Sequence, residues 1–139
     1  MVVFLVNIIG DQLSDGNYTS LKQRKQIATS VFITPQFAHI GLREKEAKEQ
    51  GYEYKVAKLP VTSIPRARID GDTHGFLKTI VDTKTNKILG CTLICTDANE
   101  MINTIQVAIN GGLDYQIVRD TVFTHPSMTE AFNDLYSLI

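Results

Sequence analysis

The chain has 139 residues, of which 43% are apolar and 21% charged, a balance that fits one globular domain with a sizeable core. Its 14 basic and 15 acidic residues nearly cancel and its basic clusters are short, so neither nucleic acid nor a membrane surface is expected as a partner. Two cysteines are too few for a disulfide framework.

The first segment, residues 1–13 (MVVFLVNIIGDQL), is apolar on almost every side. No basic residue precedes Lys22, so the segment lacks the n-region of a signal peptide, and it is far shorter than the ~20 apolar residues that span a bilayer. A cytoplasmic setting is therefore expected. Such a segment is typical of a buried element that belongs to a larger body, and the polar residues 14–30 are typical of a linker.

The part of the chain after this linker predicts two strands with a short helix between them. Residues 30–35 (SVFITP) are a β-branched run that ends at a proline, which predicts a short strand. Residues 43–51 (REKEAKEQG) are good helix formers closed by a glycine at the C-cap. Residues 52–61 (YEYKVAKLPV) alternate polar and apolar side chains, which predicts a half-buried strand.

The middle of the chain predicts an irregular stretch followed by a β-hairpin. Turn formers dominate residues 63–75 (SIPRARIDGDTHG), where no regular element is expected. In residues 76–95, two β-rich arms flank the polar loop TKTN, a pattern that predicts two antiparallel strands.

Helices dominate the last third of the chain. The first, residues 99–112, places isoleucines three and four residues apart, with Asn99 as N-cap and two glycines as the stop. Residues 114–122 predict a second short helix, and residues 127–138 predict a third with Phe132, Leu135 and Tyr136 on one face. Since strands come first and helices mostly last, the sequence predicts an α+β fold, mainly an antiparallel β-sheet with helices packed on it.

The chain contains neither a glycine-rich phosphate-binding motif nor a G-x-S-x-G elbow. Its three histidines, His39, His74 and His125, are scattered singly and no Cys/His cluster occurs, so no metal site is expected.

Two pairs of residues allow a functional and a structural interpretation. On one strand Cys91 and Cys95 would lie about 13 Å apart, beyond the reach of a disulfide, which favours small buried side chains. Arg66 and Arg68 could bind an anion, but arginines in a turn-rich segment are more often solvated or paired with nearby acids such as Asp70 and Asp72.

The segment FTHPSMTEAFNDL (residues 123–135) carries the most informative motif. Ser127 and Glu130 fit S-x-x-E, a capping box in which each side chain accepts a hydrogen bond from the other residue's backbone N–H, and His125 would then be an exposed turn residue. Alternatively, His125 is an acid/base whose tautomer and charge a carboxylate stabilises, and a bend at Pro126 could bring Glu130 to it. The motif alone leaves both interpretations open.

The same segment resembles the H-P-[ST]-x-[ST]-E stretch that closes the flavin-dependent disulfide reductases, the family of dihydrolipoamide dehydrogenase, glutathione reductase and mercuric reductase. Residues 34–51 resemble that family's P-x-x-A-x-x-G-[LM]-[ST]-E-x-x-A stretch, and residues 75–113 its hairpin and following helix. The order and spacing hold from about Ser30 to Ile139. Residues 59–68 and the C-terminal ending are most similar to the mercuric-reductase-like branch that is linked to reactive-chlorine defence.

The resemblance covers the family's C-terminal interface domain alone. It implies a dimerisation domain at residues 30–139 and, at residues 1–29, a residual helix and linker from a missing FAD domain. FAD and NAD(P)H would bind to other domains of a full-length parent and not to this fragment, which would be inactive alone. The expected partners are a second copy, forming a homodimer, and the missing FAD and NAD(P)H domains.

Within that parent, His125 would be the acid/base of the partner subunit's redox site and Glu130 would orient it. The backbone around His125 and Pro126 would approach the partner's flavin. One departure is Arg43, which stands where the family has Ser or Thr and so removes the expected cap of the following helix. The alternative function is a free-standing protein-interaction module with the same fold and no catalytic role.

Overall fold

Five antiparallel strands form the scaffold of the protein in a computed structural model, which describes residues 26–139. The strands are β1 (Thr29–Val31), β2 (Phe37–Gly41), β3 (Tyr54–Pro60), β4 (Phe76–Asp82) and β5 (Ile88–Ile94). They lie in the order β1-β2-β5-β4-β3, and each neighbouring pair is antiparallel. The predictions for the apolar first segment and most of the linker lie outside the described residues.

The helices lie mainly on one face of this sheet. They are α1 (Glu44–Glu49), α2 (Pro65–Asp70), α3 (Ala98–Gly111), α4 (Tyr115–Asp120) and α5 (Ala131–Ser137), with a 3-10 turn at Val61–Ser63. Helix α3 packs against β2 and β5, α5 packs against β3 and β4, and α4 packs against α5. This arrangement confirms the predicted α+β class with a mainly antiparallel sheet.

The core lies between the sheet and the two helices α3 and α5. On α3, Ile102 and Ile105 are buried and Ile109 packs against them, as the spacing predicts. On α5, the face formed by Phe132, Leu135 and Tyr136 is buried as predicted, and these side chains fix the helix to the sheet.

A buried hydrogen bond joins α5 to the centre of the sheet. The hydroxyls of Tyr136 and Thr79 lie 3.2 Å apart, and Thr79 lies 3.2 Å from the carbonyl of Gly90. If Thr79 donates its single proton to that carbonyl, Tyr136 donates to Thr79, so both buried hydroxyls are satisfied. The helix that follows the His125 segment is therefore held by both apolar and polar contacts.

Two elements were missed in the sequence. Strand β2 was not predicted, although it pairs with both β1 and β5. Helix α2 lies in the stretch expected to be irregular. Its Pro65 occupies the first helical turn and Gly71 follows in a left-handed conformation with φ of 77°, so residues interpreted as turn formers are in fact a helix start and stop.

Several element boundaries also differ from the predictions. The first strand spans three residues and ends before Phe32. Helix α3 begins at Ala98 with Asp97, not Asn99, at the N-cap, while its predicted stop at the two glycines is confirmed. Helix α5 begins at Ala131 and not just after Ser127, because the intervening turn is closed by bonds of the 3-10 type.

The cap that was expected to be lost at α1 is replaced in part. The side chain of Arg43 cannot accept a hydrogen bond, but its backbone N–H donates to the Glu46 carboxylate at 2.7 Å. One half of a capping box therefore remains at this helix start. The predicted stop is confirmed, since Gly51 follows the helix in a left-handed conformation with φ of 77°.

The interpretation of the two cysteines as small buried side chains is confirmed. Both thiols are free and buried, Cys91 within β5 and Cys95 directly after it. Burial raises the pKa of Cys91 well above its ordinary value, and burial together with the nearby Asp97 and Asp72 raises that of Cys95 to about 12. Neither sulfur is therefore available as a thiolate nucleophile at neutral pH.

Replacing Phe132 by alanine should lower the free energy of unfolding by roughly 3–5 kcal/mol, because it empties a fully buried aromatic site on α5. Ile69→Ala on α2, where the side chain is 67% exposed, should change it by less than about 0.5 kcal/mol. Urea unfolding followed by far-UV circular dichroism measures both values. Equal losses in the two variants would contradict the assignment of α5 to the core.

Candidate active site

His125 and Glu130 form a hydrogen-bonded pair in the segment that connects α4 to α5. Glu130 lies directly before the first residue of α5. The distance from His125 Nδ1 to Glu130 Oε2 is 2.8 Å. An ionised carboxylate only accepts hydrogen bonds, so Nδ1–H donates and the imidazole tautomer is fixed by this contact. Nε2 then has no partner among the residues that the structure describes.

The second oxygen of the same carboxylate closes the capping box. The backbone N–H of Ser127 donates to Glu130 Oε1 at 3.1 Å, and the backbone N–H of Glu130 donates to Ser127 Oγ at 3.2 Å. Both reciprocal bonds predicted from S-x-x-E are therefore confirmed. The two interpretations of the sequence are compatible, because the carboxylate makes the structural contact with one oxygen and meets the histidine with the other.

The environment of Glu130 favours its ionised form. Partial burial alone would raise the pKa of its carboxyl, but the hydrogen bonds from His125 and from the Ser127 backbone, together with the charge of His125, outweigh burial and hold the pKa below its ordinary value. The Glu130 side chain is 18% exposed and that of His125 69% exposed. A shielded carboxylate thus supports an imidazole that is open to solvent.

An asparagine on α5 fixes the chain that leads to His125. The Asn133 side-chain amide donates to the carbonyls of Val118, Arg119 and Thr121 at 3.3, 2.6 and 2.9 Å. These bonds tie the end of α4 to α5 just before the connection reaches His125. The sequence did not single out Asn133, because an amide within a helix leaves no periodic signal.

The histidine is followed by a cis peptide bond to Pro126, whose side chain is exposed like that of His125. A second cis bond precedes Pro35. A groove of about 380 Å³ adjoins Pro126 and is lined by residues 126–129 and by residues of α2 and α3. Arg66 lies at its wall, a proximity that the sequence did not indicate.

The two arginines considered as an anion site are both engaged. Arg66 donates to the Asp70 carboxylate at 2.7 Å, which confirms one of the predicted pairings. Arg68 donates to the carbonyl of Thr62 at 2.6 Å. Asp72 bonds Thr96 at 2.7 Å and His74 at 3.0 Å instead of an arginine, so the pairing suggested for it is wrong.

The other histidines contact different partners from those of His125. His39 is in β2, with Nδ1 2.8 Å from the Thr92 hydroxyl and Nε2 3.0 Å from the Gly41 carbonyl. It lines a groove of about 480 Å³, larger than the one beside Pro126, and neither His125 nor Glu130 lines this groove. Within residues 26–139, no group of three or more His, Cys, Asp or Glu side chains is placed to hold a metal ion. None of the helices described has the length and apolar character needed to cross a membrane.

The sequence of the described domain matches one family. The sequence profile of the pyridine nucleotide-disulphide oxidoreductase dimerisation domain matches residues 27–136. The chain therefore belongs to this family and is its dimerisation domain, as the resemblance predicted. Because the match spans β1 to α5, it includes all the elements that build the candidate site.

Individual relatives define the branch. The chain is 47% identical over 132 residues to the probable pyridine nucleotide-disulfide oxidoreductase RclA of Escherichia coli K12. The aligned region covers 95% of this chain and 30% of RclA. The solved structure of RclA, described as an HOCl-induced flavoprotein disulfide reductase, superimposes with a TM-score of 0.90 over 96% of this chain and 31% of that one. The predicted reactive-chlorine branch is thereby confirmed.

More distant relatives share the same region. Mercuric reductase of Bacillus cereus is 36% identical over 99 residues, or 71% of this chain and 16% of the reductase. Human mitochondrial dihydrolipoyl dehydrogenase is 31% identical over 108 residues, or 78% of this chain and 21% of the dehydrogenase. The chain thus spans less than a third of the length of each of these oxidoreductases.

Replacing Glu130 by glutamine should destabilise the fold in a pH-dependent way. The folded-state pKa of Glu130 is lowered, so its stabilising contribution is present above the unfolded pKa of about 4.3 and is lost as the pH falls through the lower folded value. Urea unfolding at pH 7 should show Glu130→Gln to be less stable than the unsubstituted chain, and the difference should shrink at pH 3.

The matched control is Glu49→Gln, at an exposed carboxylate 3.9 Å from Lys45 on α1. This substitution should change the unfolding midpoint little at either pH, because exposed ion pairs contribute little to stability. A Glu130→Gln effect that is the same at pH 3 and pH 7 would show that ionisation of this carboxylate does not stabilise the fold.

Proposed function

We propose that this chain pairs with a second copy and supplies His125 and Glu130 as an acid/base pair to the redox site of the partner subunit. The observation that carries this proposal is the 2.8 Å contact between the shielded Glu130 carboxylate and the exposed His125 imidazole. Membership of a dimerisation-domain family supports the idea that the open side of the imidazole serves another subunit.

The proton chemistry follows from the geometry of the pair. Because Glu130 holds Nδ1–H, Nε2 is the atom that accepts and returns a proton. A thiol of the partner's site would transfer its proton to Nε2, which leaves a thiolate to attack a disulfide substrate and an imidazolium that the Glu130 carboxylate stabilises. The return of that proton to a leaving thiolate restores the neutral imidazole.

FAD and NAD(P)H would belong to the other domains of a full-length parent, where they supply hydride and electron transfer. The residues around His125 fit a wall of such a site and not a complete one, since they offer an exposed imidazole and an exposed proline, while the sequence contains no glycine-rich phosphate loop. His125 and Pro126 are the residues that would lie beside the partner's flavin.

The extent of the relatives supports this division of labour. The chain covers 30% of RclA, so we assign residues 1–29 to the end of an upstream FAD domain and residues 30–139 to the dimerisation domain. The fragment alone would have no reductase activity. The proposed setting is the cytoplasm, which keeps thiols reduced and agrees with two free cysteines.

The role of His125 is tested by His125→Ala in the full-length polypeptide. Turnover with a disulfide substrate should fall by at least about 100-fold, the usual contribution of a general acid/base, while reduction of the flavin by NAD(P)H should be retained. Stopped-flow absorbance of the flavin separates the two half-reactions.

His74→Ala is the matched control, because His74 is also an exposed histidine hydrogen-bonded to a carboxylate, at 3.0 Å from Asp72. It should leave turnover within about twofold of the unsubstituted enzyme, as expected for a surface histidine whose carboxylate partner is not Glu130. Unchanged turnover in His125→Ala would remove this residue from catalysis.

Mixed dimers test whether the pair acts across subunits. One full-length subunit would carry His125→Ala, and the other would carry a serine in place of a redox cysteine of its upstream domain. If the histidine serves the partner, one complete site remains and the mixed dimer is active although each homodimer is not. An inactive mixed dimer would place the histidine in the site of its own subunit.

A further inference from the structure

The groove of about 480 Å³ that His39 lines, which we name the His39 groove, lies on the face of the sheet that points away from α3. Successive side chains of a strand point to opposite faces. In β2, Ile40 is buried in the core beneath α3, so Phe37 and His39 point to the other face. The neighbouring strands continue this face, because His39 pairs with Thr92 of β5 and Thr92 pairs with Lys78 of β4.

The centre of the His39 groove is held in place by hydrogen bonds. His39 Nε2 lies 3.0 Å from the Gly41 carbonyl oxygen, and His39 Nδ1 lies 2.8 Å from Thr92 Oγ1. Because a carbonyl only accepts hydrogen bonds, Nε2–H donates to Gly41, and the Thr92 hydroxyl donates to Nδ1 of the neutral imidazole. The side chains at the centre of the groove are therefore ordered before any ligand binds, which lowers the entropic cost of binding.

Apolar side chains line the groove on both sides of this polar row. Phe37 and Phe76 both pair with Ile94, so their rings belong to one row across the sheet. On the other side are Leu42 and Ile80, which pack with α1 in a small cluster separate from the main core. Pockets of about 300–1,000 Å³ with mainly apolar walls and a few fixed polar groups are typical sites for small ligands.

The charge of the groove is positive. Its lining includes three cations, Arg43, Lys45 and Lys78, but a single carboxylate, that of Glu44. The Lys78 ammonium donates to the Glu44 carboxylate, so these two charges cancel. Lys45 lies 3.9 Å from Glu49 in an exposed pair, and Arg43 forms no ion pair with any other residue of the described part of the chain.

A further cation stands beside the aromatic wall. The Lys58 ammonium lies 4.0 Å from the centroid of the Phe76 ring. This contact is a cation–π interaction, and it adds positive charge close to an apolar surface. A wholly apolar ligand that covered Arg43 would leave a desolvated charge without a partner, and a cationic ligand would be repelled. The charge and the walls together favour a ligand that is both anionic and apolar.

We propose that the His39 groove binds a small organic anion with an aromatic body, of the class of aryl carboxylates and aryl sulfonates. The aromatic body packs between Phe37 and Phe76, and the anionic group accepts hydrogen bonds from the Arg43 guanidinium, whose fork of donors matches such oxygens. This site is additional to the role proposed for His125 and does not depend on it.

The test is a fluorescence titration of the 139-residue chain with 8-anilinonaphthalene-1-sulfonate at low ionic strength, where charge contributes most to binding. Saturable binding of one dye per chain is expected. N-phenyl-1-naphthylamine, which has the same rings but no sulfonate, should bind at least about tenfold more weakly. Amide chemical shifts in a ¹H–¹⁵N spectrum should change at His39 and Thr92 on addition of the sulfonate.

Charge-reversal variants on one short stretch provide the matched comparison. Arg43→Glu should raise the dissociation constant of the sulfonate by at least about tenfold, because it replaces the unpaired cation by an anion. Lys48→Glu changes the net charge by the same amount on the exposed side of α1 without touching the groove, and it should leave the constant within about twofold. Far-UV circular dichroism reports whether each variant is folded, and Lys45→Glu replaces Arg43→Glu if the latter is not.

Three results would overturn the proposal. The first is equal affinity for the two dyes, which would reduce the groove to an apolar patch. The second is an equal loss of affinity in Arg43→Glu and Lys48→Glu, which would show a general effect of net charge. The third is an absence of chemical-shift changes at His39 and Thr92, which would place the bound dye elsewhere on the domain.

Discussion

The two oxygens of the Glu130 carboxylate make two different contacts. One oxygen accepts the Ser127 backbone N–H and closes the turn before α5, and the other accepts Nδ1–H of His125. The carboxylate that closes the backbone turn therefore also fixes the position of the imidazole. This economy explains why so short a segment can present a fixed tautomer at an exposed surface, where a free histidine would rotate among several orientations.

The position of this turn depends on how firmly α5 is held on the sheet. Phe132, Leu135 and Tyr136 hold α5 on the sheet, and the Tyr136 hydroxyl reaches Thr79 in the middle of β4. On the other side, Asn133 ties α5 to the end of α4. The exposed imidazole is therefore supported by a helix that is packed and hydrogen-bonded on both sides.

Much of this architecture was predictable because its signals are local. The hairpin β4–β5 follows from two β-rich arms around a polar loop, the apolar face of α3 follows from periodicity, and the S-x-x-E spacing specifies the Ser127–Glu130 bonds. By contrast, β2 is a five-residue strand whose partners, β1 and β5, are far apart in the sequence. Its last residue, Gly41, has φ of 81°, and a Cβ there would lie 2.2 Å from the Leu89 carbonyl oxygen. Such long-range packing constraints leave no pattern in a single sequence.

Helix α2 was not predicted for a different reason, since proline and glycine mark helix ends as well as turns. The contact between His125 and Glu130 depends on the bend at Pro126, which the sequence alone does not specify. The three hydrogen bonds of Asn133 have no signal in the sequence.

The two buried sulfurs have a practical consequence. Cys91 and Cys95 are enclosed by the sheet and α3, and burial keeps both protonated at neutral pH. An alkylating reagent such as a maleimide would therefore find no reactive thiol on the folded domain and would label these positions only when the sheet opens. Labelling of Cys91 and Cys95 would therefore report global opening of the domain. In the folded domain, a cysteine introduced at the surface would be the reactive thiol for a fluorophore or spin label.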